Sequence, residues 1–425
     1  MKILWICEIM LPDVAQKEGK PNISIQGWLS GMAKSFSLDS SNELVIVMPS
    51  FWGNDYLVGE TEYYNYYCYP QNLHKQYLIN SRLKEFFREV IEKERPDVIH
   101  VWGTEYPNQE VIFEAVDKSY IRRIVVSIQG LVHIYAKHYF CGIPSNVIYR
   151  FGIKELVKRK NLYLQKREFL LRGEYETRIL SMAYNVIGRT EWDYNCVKRI
   201  NPNVNYFKCN ETLRTEFYSD KWNYENCEKN RIFYSSCSYP IKGFHIMLKA
   251  LPEILQAFPD THLYVTGLDI KKCKNIIQRI VFNDSYRRYI NELIDKLDLY
   301  KYVTFLGSLD AEQMKEQYLK CNVFVSASSV ENSSNSVGEA MLLGVPVVAS
   351  FVGGMQSIIE HNKDGILFQQ DADYMLSRYI CELFDDAERA KKLGKNARIT
   401  ASHRHDVNNN RSALLDIYTN LIKNS

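Results

Sequence analysis

The chain has 425 residues, a length that one hydrophobic core seldom organises, so the sequence predicts two domains. Its hydrophobic fraction of 46% and its charged fraction of 24% are those of ordinary globular proteins and exclude a disordered chain. With 53 basic and 50 acidic residues the net charge is only +3, which gives no electrostatic basis for a nucleic-acid partner.

Cysteine usage and the absence of targeting segments bear on location. The ten cysteines are scattered without a Cys-x-x-Cys pair, which predicts buried thiols in a reducing compartment rather than a zinc or redox site. The apolar start is interrupted by Glu8 before a signal-peptide core is complete. No apolar run approaches the roughly 20 residues that span a bilayer. We therefore expect a cytoplasmic protein, lying at most on the inner face of the membrane.

Short apolar, β-rich runs alternate with amphipathic stretches along the whole chain, which is the pattern of βα units that build parallel sheets. In the first half the predicted strands are 3–7, 44–48, 98–102, 124–128, 185–188 and 205–209, with helices at 24–36 and 81–94. Together they predict a Rossmann-like domain over residues 1–210.

A second series of strands is predicted at 231–236, 262–266, 303–306, 323–327, 346–349 and 366–368, with a helix at 245–257. It defines a second Rossmann-like domain over 231–407, followed by a helix in 408–425. Residues 211–230 between the domains read as a linker, and the aromatic residues Phe217, Tyr218, Trp222 and Tyr224 indicate that it packs against a domain.

The segment 323–341 is an apolar strand, a polar loop rich in Ser and Asn, and a helix start. Ligands in open parallel sheets bind beyond the carboxyl ends of strands, and the amides at a helix N-terminus suit a phosphate. Glu331 and Glu339 are candidates to accept hydrogen bonds from sugar or ribose hydroxyls. In the structural alternative, Ser336 caps the helix, Glu339 completes a capping box, and Glu331 is a solvated loop carboxylate.

The segment 235–245 also lies between a strand and a helix, and it contains Lys242 and Gly243. An ammonium group suits the negative charge that develops on a departing phosphate. The alternative is a surface lysine beside a glycine turn.

These motifs together are similar to glycosyltransferase family 4, and in particular to bacterial surface-polysaccharide glycosyltransferases. The resemblance rests on Lys242-Gly243, Gly267, Gly307, Glu331 with Glu339, and the run 344–348, and it covers about 231–393. It implies the GT-B fold, in which two Rossmann-like parallel-sheet domains face each other across a cleft. It also implies that the helix in 408–425 crosses back to the first domain.

The resemblance further implies roles for individual residues. Lys242 would bind the donor diphosphate and Glu331 the donor sugar, and these two are the predicted catalytic residues. The other predicted donor-binding residues hold the ribose, phosphates or base: Glu339, Asn335, Ser336, Val337, Leu309 and Gly243. Members of the family transfer sugars with retention of anomeric configuration, and GT-B enzymes generally need no metal.

The chain departs from the family pattern at two residues and in the loop 12–22, where Gly19 is the glycine of a loop that is more glycine-rich in the family. Cys237 stands where members commonly have an arginine, so another cation is needed, and Arg189 and Arg214 are candidates unless both are structural. In the first domain Gln129 replaces a common histidine. His100, at a strand end, either faces the cleft or is a packed core histidine.

The sequence therefore predicts a retaining, metal-independent glycosyltransferase that moves a sugar from a UDP- or GDP-linked donor. The expected acceptor is a glycan or a lipid-linked glycan in surface polysaccharide biosynthesis, and no cofactor is expected. A non-catalytic nucleotide-sugar-binding relative is the alternative. An epimerase or phosphorylase fits the motifs less well, and a dinucleotide oxidoreductase would need a GxGxxG turn, which is missing.

A basic stretch in 149–180 carries nine basic and four acidic residues. Clustered Lys and Arg are attracted to anionic lipid surfaces, which would suit a lipid-linked acceptor. A solvated helix face is the alternative.

Overall fold

The computed structural model describes residues 1–21, 27–37, 41–72, 77–118, 120–151, 161–267 and 284–424. The chain divides into two compact units. The first unit comprises Met1–Ile134, Phe169–Arg214 and His405–Ser425, and the second comprises Tyr135–Glu168 and Thr215–Arg404. Compared with the predicted domains, residues 135–168 group with the second unit, and the C-terminal residues group with the first.

The first unit is built on an eight-stranded sheet of order β3-β4-β2-β1-β5-β6-β7-β8. Its strands are β1 (Lys2–Ile6), β2 (Glu43–Ser50), β3 (Leu57–Glu60), β4 (Asn65–Pro70), β5 (Val98–Trp102), β6 (Ile124–Ser127), β7 (Asn185–Gly188) and β8 (Asn205–Lys208). Neighbouring strands are parallel except β3 and β4, which pair antiparallel at one edge. The six predicted strands are confirmed to within two residues, whereas β3 and β4 were not predicted.

The second unit contains a six-stranded, fully parallel sheet of order β11-β10-β9-β12-β13-β14. Its strands are β9 (Arg231–Tyr234), β10 (His262–Thr266), β11 (Val303–Gly307), β12 (Val323–Ser326), β13 (Val347–Ser350) and β14 (Ile366–Phe368). All six predicted strands are confirmed. Both sheets have the doubly wound α/β topology that the sequence predicts.

The described helices flank the two sheets. In chain order they are α1 (Pro12–Lys17), α2 (Gly27–Ser37), α3 (Leu83–Glu94), α4 (Ile112–Ala115), α5 (Val132–His138), α6 (Ser145–Ile148), α7 (Leu162–Met182), α8 (Glu191–Ile200), α9 (Phe244–Ala257), α10 (Ser285–Lys296), α11 (Ala311–Lys320), α12 (Asn335–Leu343), α13 (Asp373–Asp385), α14 (Ala387–Arg404) and α15 (Val407–Lys423). In the part of the chain that the structure describes, no helix is both long and apolar enough to cross a bilayer.

Helix α15 is part of the core of the first unit. Its apolar residues Leu414, Ile417, Tyr418 and Leu421 join a buried cluster with residues of β1, β2 and α2. The indole Nε1 of Trp5 donates a hydrogen bond of 3.0 Å to the hydroxyl of Tyr418, which is fully buried. The last helix is therefore as internal to this unit as its first strand.

The predicted linker does pack, as its aromatic residues indicated. Phe217 is fully buried and Trp222 is 5% exposed. The indole of Trp222 donates to the Cys321 carbonyl oxygen at 2.8 Å, so the segment from Thr215 onward lies in the second unit, whereas residues up to Arg214 belong to the first. It adds to that unit's core rather than forming a free tether.

Candidate functional site

Two loops leave the second sheet side by side at the carboxyl ends of β9 and β12. These strands are parallel neighbours, so the chain that follows each one emerges at the same edge. The loop after β9 carries Lys242, and the loop after β12 carries Glu331. The Lys242 Nζ lies 2.5 Å from the Glu331 Oε1, so the two predicted catalytic residues form an ion pair. This edge is where doubly wound sheets bind ligands.

Main-chain contacts hold the two loops together. Gly243 has a positive φ of 71°, and a Cβ at this position would lie 1.8 Å from the carbonyl oxygen of Ala327. The Ser329 amide donates to the Ile241 carbonyl oxygen at 2.8 Å. Only glycine allows this approach of two backbones, so the residue after Lys242 is fixed by packing as well as by the turn.

Glu331 is held rigidly at the end of its loop. Its side chain accepts a hydrogen bond of 2.9 Å from the Ser328 hydroxyl, and its backbone oxygen accepts one of 2.9 Å from the Gly354 amide. A Cβ at Gly353 would lie 2.0 Å from the same backbone oxygen. The Lys242 side chain is 27% exposed and that of Glu331 only 10%, so the carboxylate is fixed and the ammonium remains accessible to a ligand.

Helix α12 follows the Glu331 loop, and its start differs from the capping-box alternative. The N-cap residue is Ser334, its side chain makes no cap hydrogen bond, and Ser336 lies inside the helix. The capping-box interpretation of Ser336 and Glu339 is therefore wrong. Asn335, Ser336 and Val337 are the first three helical residues, whose amides have no acceptor within the helix and point toward the carboxyl edge of β12.

Glu339 and Leu309 occupy different parts of the second unit. Glu339 lies in the second turn of α12, the helix that follows the Glu331 loop. It is 4% exposed, so its side chain is buried. Leu309 is half-buried just after β11, the edge strand, two positions in the sheet from β9. Gly307 before it has a φ of 73° and open space around its Cβ position.

Cys237 occupies the position at which the family pattern has a cation. It is 1% exposed, and its thiol lies 3.3 Å from the carbonyl oxygen of Thr266. The Cys237 amide donates to the same oxygen at 3.2 Å. The residue therefore links the ends of β9 and β10 and supplies no positive charge.

In the first unit, Arg189 and Gln129 bind the same carboxylate. Arg189 is 3% exposed and forms an ion pair with Glu211. Its guanidinium also donates to the carbonyl oxygens of Ile128 and Gln129, at 3.1 and 2.8 Å. The Gln129 Nε2 donates to Glu211 at 2.6 Å. These contacts favour the structural alternative for Arg189. Arg214 is half-buried and is the last residue of the segment Phe169–Arg214 of this unit.

His100 is enclosed in the core of the first unit. Its Nδ1 lies 2.6 Å from the Tyr418 hydroxyl, and its Nε2 lies 2.6 Å from the Ser127 hydroxyl. Its ring stacks on Trp102 at a centroid distance of 3.9 Å. Burial lowers the pKa of His100 well below its usual range, so the imidazole is neutral. The geometry favours the alternative of a packed core histidine.

Glu8, just after β1, is a buried carboxyl group that the sequence analysis did not identify as a site residue. It is 4% exposed, and it accepts a hydrogen bond of 2.8 Å from the Glu105 amide. Burial, and then the nearby charge of Glu105, raise its pKa well above the usual range of a carboxyl group. Its position just after a strand could have identified it as a candidate. The sequence does not show, however, that the loop of Glu105 covers it.

Part of the basic stretch lies outside the described residues, including Lys154, Lys158, Arg159 and Lys160. Within the described part, Arg172 donates to the Glu105 carbonyl oxygen at 2.7 Å, and Arg178 pairs with Glu110 at 2.7 Å. These two basic side chains therefore serve contacts inside the first unit.

No group of three or more His, Cys, Asp and Glu side chains is arranged to hold a metal ion among the residues described.

Comparison with known proteins identifies a family and relatives that match the second unit. Residues 219–400 match the family model "Glycosyl transferases group 1". The spore coat protein SA of Bacillus subtilis (strain 168) is 27% identical over 183 residues, which is 42% of this chain and 45% of that protein. The chain thus aligns with less than half the length of this curated relative.

Two solved structures extend the likeness to the whole chain. Sucrose-phosphate synthase from Thermosynechococcus elongatus superposes with a TM-score of 0.75 at 17% identity, covering 100% of both chains. Anabaena HepE in complex with UDP-glucose superposes with a TM-score of 0.65 at 17% identity, covering 99% of this chain and 100% of that one. At such identities the likeness establishes the fold.

Proposed function

We propose that this chain is a glycosyltransferase of family 4 that transfers a sugar from a nucleotide-sugar donor. Its residues 219–400 match the group 1 glycosyltransferases, and the chain has the GT-B fold. The observation that carries the proposal is the Lys242–Glu331 ion pair of 2.5 Å at the carboxyl edge of β9 and β12, beside the N-terminus of α12. Positive charge and free helix amides at one sheet edge suit a diphosphate, and a fixed carboxylate suits the sugar hydroxyls.

In this reaction the bond between the anomeric carbon of the sugar and the diphosphate oxygen breaks, and the bond electrons stay with the diphosphate. An acceptor hydroxyl oxygen forms the new bond to the anomeric carbon, and its proton passes to the departing diphosphate. The leaving group therefore gains negative charge, which Lys242 and the amides of Asn335–Val337 stabilise. Each preorganised donor of this kind is typically worth about 2.7 to 4 kcal/mol in the transition state. Glu331 accepts hydrogen bonds from the donor sugar, and buried Glu339 binds the ribose.

The finer features of the proposal rest on the family resemblance. We propose retention of anomeric configuration, a UDP- or GDP-linked donor, and no metal ion or cofactor. We therefore expect turnover to persist in the presence of a chelator such as EDTA.

The proposal is tested by thermal unfolding with a panel of nucleotide sugars, because a ligand that binds only the native state raises the midpoint. One donor should raise the midpoint of the wild type, Lys242→Ala should reduce the shift, and Glu339→Ala should abolish it. Lys363→Ala is the matched control, because Lys363 also pairs with a glutamate at 2.5 Å but is 61% exposed. Turnover of that donor should fall about 10²- to 10³-fold in Lys242→Ala. If no nucleotide or nucleotide sugar stabilises the wild type, the proposal is wrong.

We further propose that the acceptor is a glycan or lipid-linked glycan of surface polysaccharide biosynthesis and that the stretch 149–180 contacts an anionic membrane. Tyr149 and Phe151 are 60% and 49% exposed, and Tyr149 lies 5.5 Å from Tyr163 between ring centroids. Exposed aromatic rings among clustered basic residues suit a membrane interface.

Membrane contact is tested by co-sedimentation with vesicles of phosphatidylglycerol and phosphatidylcholine. The double variant Tyr149→Ala with Phe151→Ala should bind these vesicles several-fold more weakly than the wild type. Tyr374→Ala is the control, because Tyr374 is an equally exposed aromatic residue, at 62%. Equal binding by the wild type and the double variant would contradict the proposed contact.

A second candidate function is a non-catalytic nucleotide-sugar-binding protein. The buried, uncharged Cys237 at the end of β9 favours it, because a cation is missing there. This candidate predicts the same donor-dependent stabilisation without release of nucleoside diphosphate in any acceptor mixture.

A further inference from the structure

We infer that Tyr234 is a positioning residue that sets the Lys242 ammonium against the donor diphosphate, an inference that rests on the proposed function. Tyr234 is the last residue of β9 and is 2% exposed. It therefore reaches neither donor nor solvent, and any effect on the reaction passes through the residues that it binds.

The Tyr234 hydroxyl joins the two loops of the site. It donates a hydrogen bond to the carbonyl oxygen of Lys242 and accepts one of 3.3 Å from the amide of Ala327. The first group belongs to the loop that carries the ammonium, and the second begins the loop that carries Glu331. One buried hydroxyl thus bridges the backbones behind both predicted catalytic side chains.

The backbone at Lys242 depends strongly on this bridge. Pro240–Lys242 is a single 3-10 turn that ends at Gly243, which has a positive φ. The aromatic ring of Tyr234 packs edge-on against Phe244 at a centroid distance of 5.3 Å, so the hydroxyl has a fixed position. Without it, the Lys242 carbonyl oxygen and the Ala327 amide would each lose this hydrogen bond in a closely packed junction, and the turn would shift.

Such a shift would move the ammonium group of Lys242. A displacement of a few tenths of an ångström at a charged donor changes its interaction with a phosphate more than it changes overall packing. The neighbouring buried hydroxyl of Tyr286 provides a contrast, because it lies 3.2 Å from the His245 Nδ1 and bonds to neither loop.

The test is a double-mutant cycle on nucleotide affinity, measured by calorimetry with UDP or GDP, whichever base belongs to the stabilising donor. Tyr234→Phe should weaken diphosphate binding about fivefold, as expected for groups in contact, and leave binding of the monophosphate unchanged. In the Lys242→Ala background the same substitution should have no further effect. Tyr286→Phe, which removes an equally buried hydroxyl, should leave the affinity for the diphosphate at the wild-type value.

Each outcome decides the inference. Equal weakening in both backgrounds, or equal effects of Tyr234→Phe and Tyr286→Phe, would overturn it and leave the proposed function standing. Failure of the wild type to bind any nucleoside diphosphate would overturn both. Should Tyr234→Phe fail to fold, 3,5-difluorotyrosine at position 234 keeps the ring, strengthens the hydroxyl as a donor to the Lys242 carbonyl and weakens it as an acceptor from the Ala327 amide. A change in diphosphate affinity in the wild-type background but not in the Lys242→Ala background then supports the inference, and no change in either overturns it.

Discussion

The carboxyl edges of the two sheets hold their polar side chains in different ways. In the second unit, Lys242 and Glu331 are placed by main-chain contacts between two loops, and the ammonium keeps part of its surface exposed. In the first unit, Arg189, Gln129 and Glu211 bind one another and the local backbone, and Arg189 is 3% exposed.

The difference shows what a charged residue at a strand end can be used for. When glycines and backbone hydrogen bonds build the loop, the charged side chain is not needed to hold the loop and can contact a ligand. When the side chain itself holds the loop, its hydrogen bonds are already used. Similar sheet topology therefore gives a candidate donor site in one unit and a cross-linked edge in the other.

The largest expected effect comes from removing the Arg189–Glu211 ion pair at the carboxyl edge of the first sheet. Arg189→Met leaves the Glu211 carboxylate buried without its cation and should lower the free energy of unfolding by about 3 to 5 kcal/mol, measured by urea denaturation. Arg178→Met is the matched control, since Arg178 pairs with Glu110 but is 48% exposed, and it should cost less than about 1 kcal/mol. A stable Arg189→Met variant that no longer binds donor would instead make Arg189 a ligand-binding residue.

The next effect is that of separating the loops of the second unit. Gly243→Ala places a Cβ 1.8 Å from the Ala327 carbonyl oxygen, so the backbone must move and stability should fall by about 3 kcal/mol or more. Gly307→Ala has a similar φ of 73° with open space around the Cβ position, and it should cost only the backbone term of about 1 to 2 kcal/mol. Equal urea midpoints for the two variants would show that the close approach does not constrain the loop.

A comparable loss is expected on acidification, because the second unit also contains a buried neutral histidine. Burial lowers the pKa of His245 to about 4 from an ordinary 6.5. Its Nε2 lies 2.7 Å from the Cys141 carbonyl oxygen, which places the proton on Nε2. Between pH 6.5 and 4 the unfolded chain binds this proton and the native protein does not.

The contribution of His245 is thus fully present above pH 6.5 and is lost as the pH falls toward 4, by about 3 kcal/mol. Urea denaturation across this range should give a shallower pH dependence for His245→Gln than for the wild type. Identical slopes would mean that His245 is already charged in the native state.

The smallest expected effect is a gain in stability at the edge of the first unit. The raised pKa of Glu8 means that its stabilising protonated form is lost as the pH rises through that pKa. Glu8→Gln keeps an oxygen for the Glu105 amide and needs no proton to be buried in neutral form, so it should raise the free energy of unfolding by about 1 kcal/mol at pH 8. The gain should vanish near pH 4, and a destabilised variant at pH 8 would show that the charged form is the one stabilised.

The sequence predicted the fold well because apolar β-rich runs mark parallel strands that are buried on both faces, as in β5 and β12. It missed β3 and β4 because 57–70 is short, rich in tyrosine, and lies at an antiparallel edge. The grouping of 135–168 with the second unit depends on packing, which a local pattern does not reveal.

A site residue could be predicted from the sequence where its role depends on its place in the loop after a strand. Lys242 and Glu331 each lie in the loop that follows a strand, and those strands are neighbours. Arg189 also follows a strand, and His100 lies in the middle of β5, but their partners Glu211 and Tyr418 are 22 and 318 residues away. The sequence shows that a charged group or an imidazole is present, but only the folded structure shows which residue binds it.

The contribution of α15 to the first unit also determines the order in which the two units can be completed during synthesis. Trp5 is synthesised 413 residues before its hydrogen-bond partner Tyr418. Residues 215–404 are synthesised in between and can fold before the first unit has its last helix. The unit that begins the chain is therefore the last to be completed, and until then the apolar surface that α15 covers is available to chaperones.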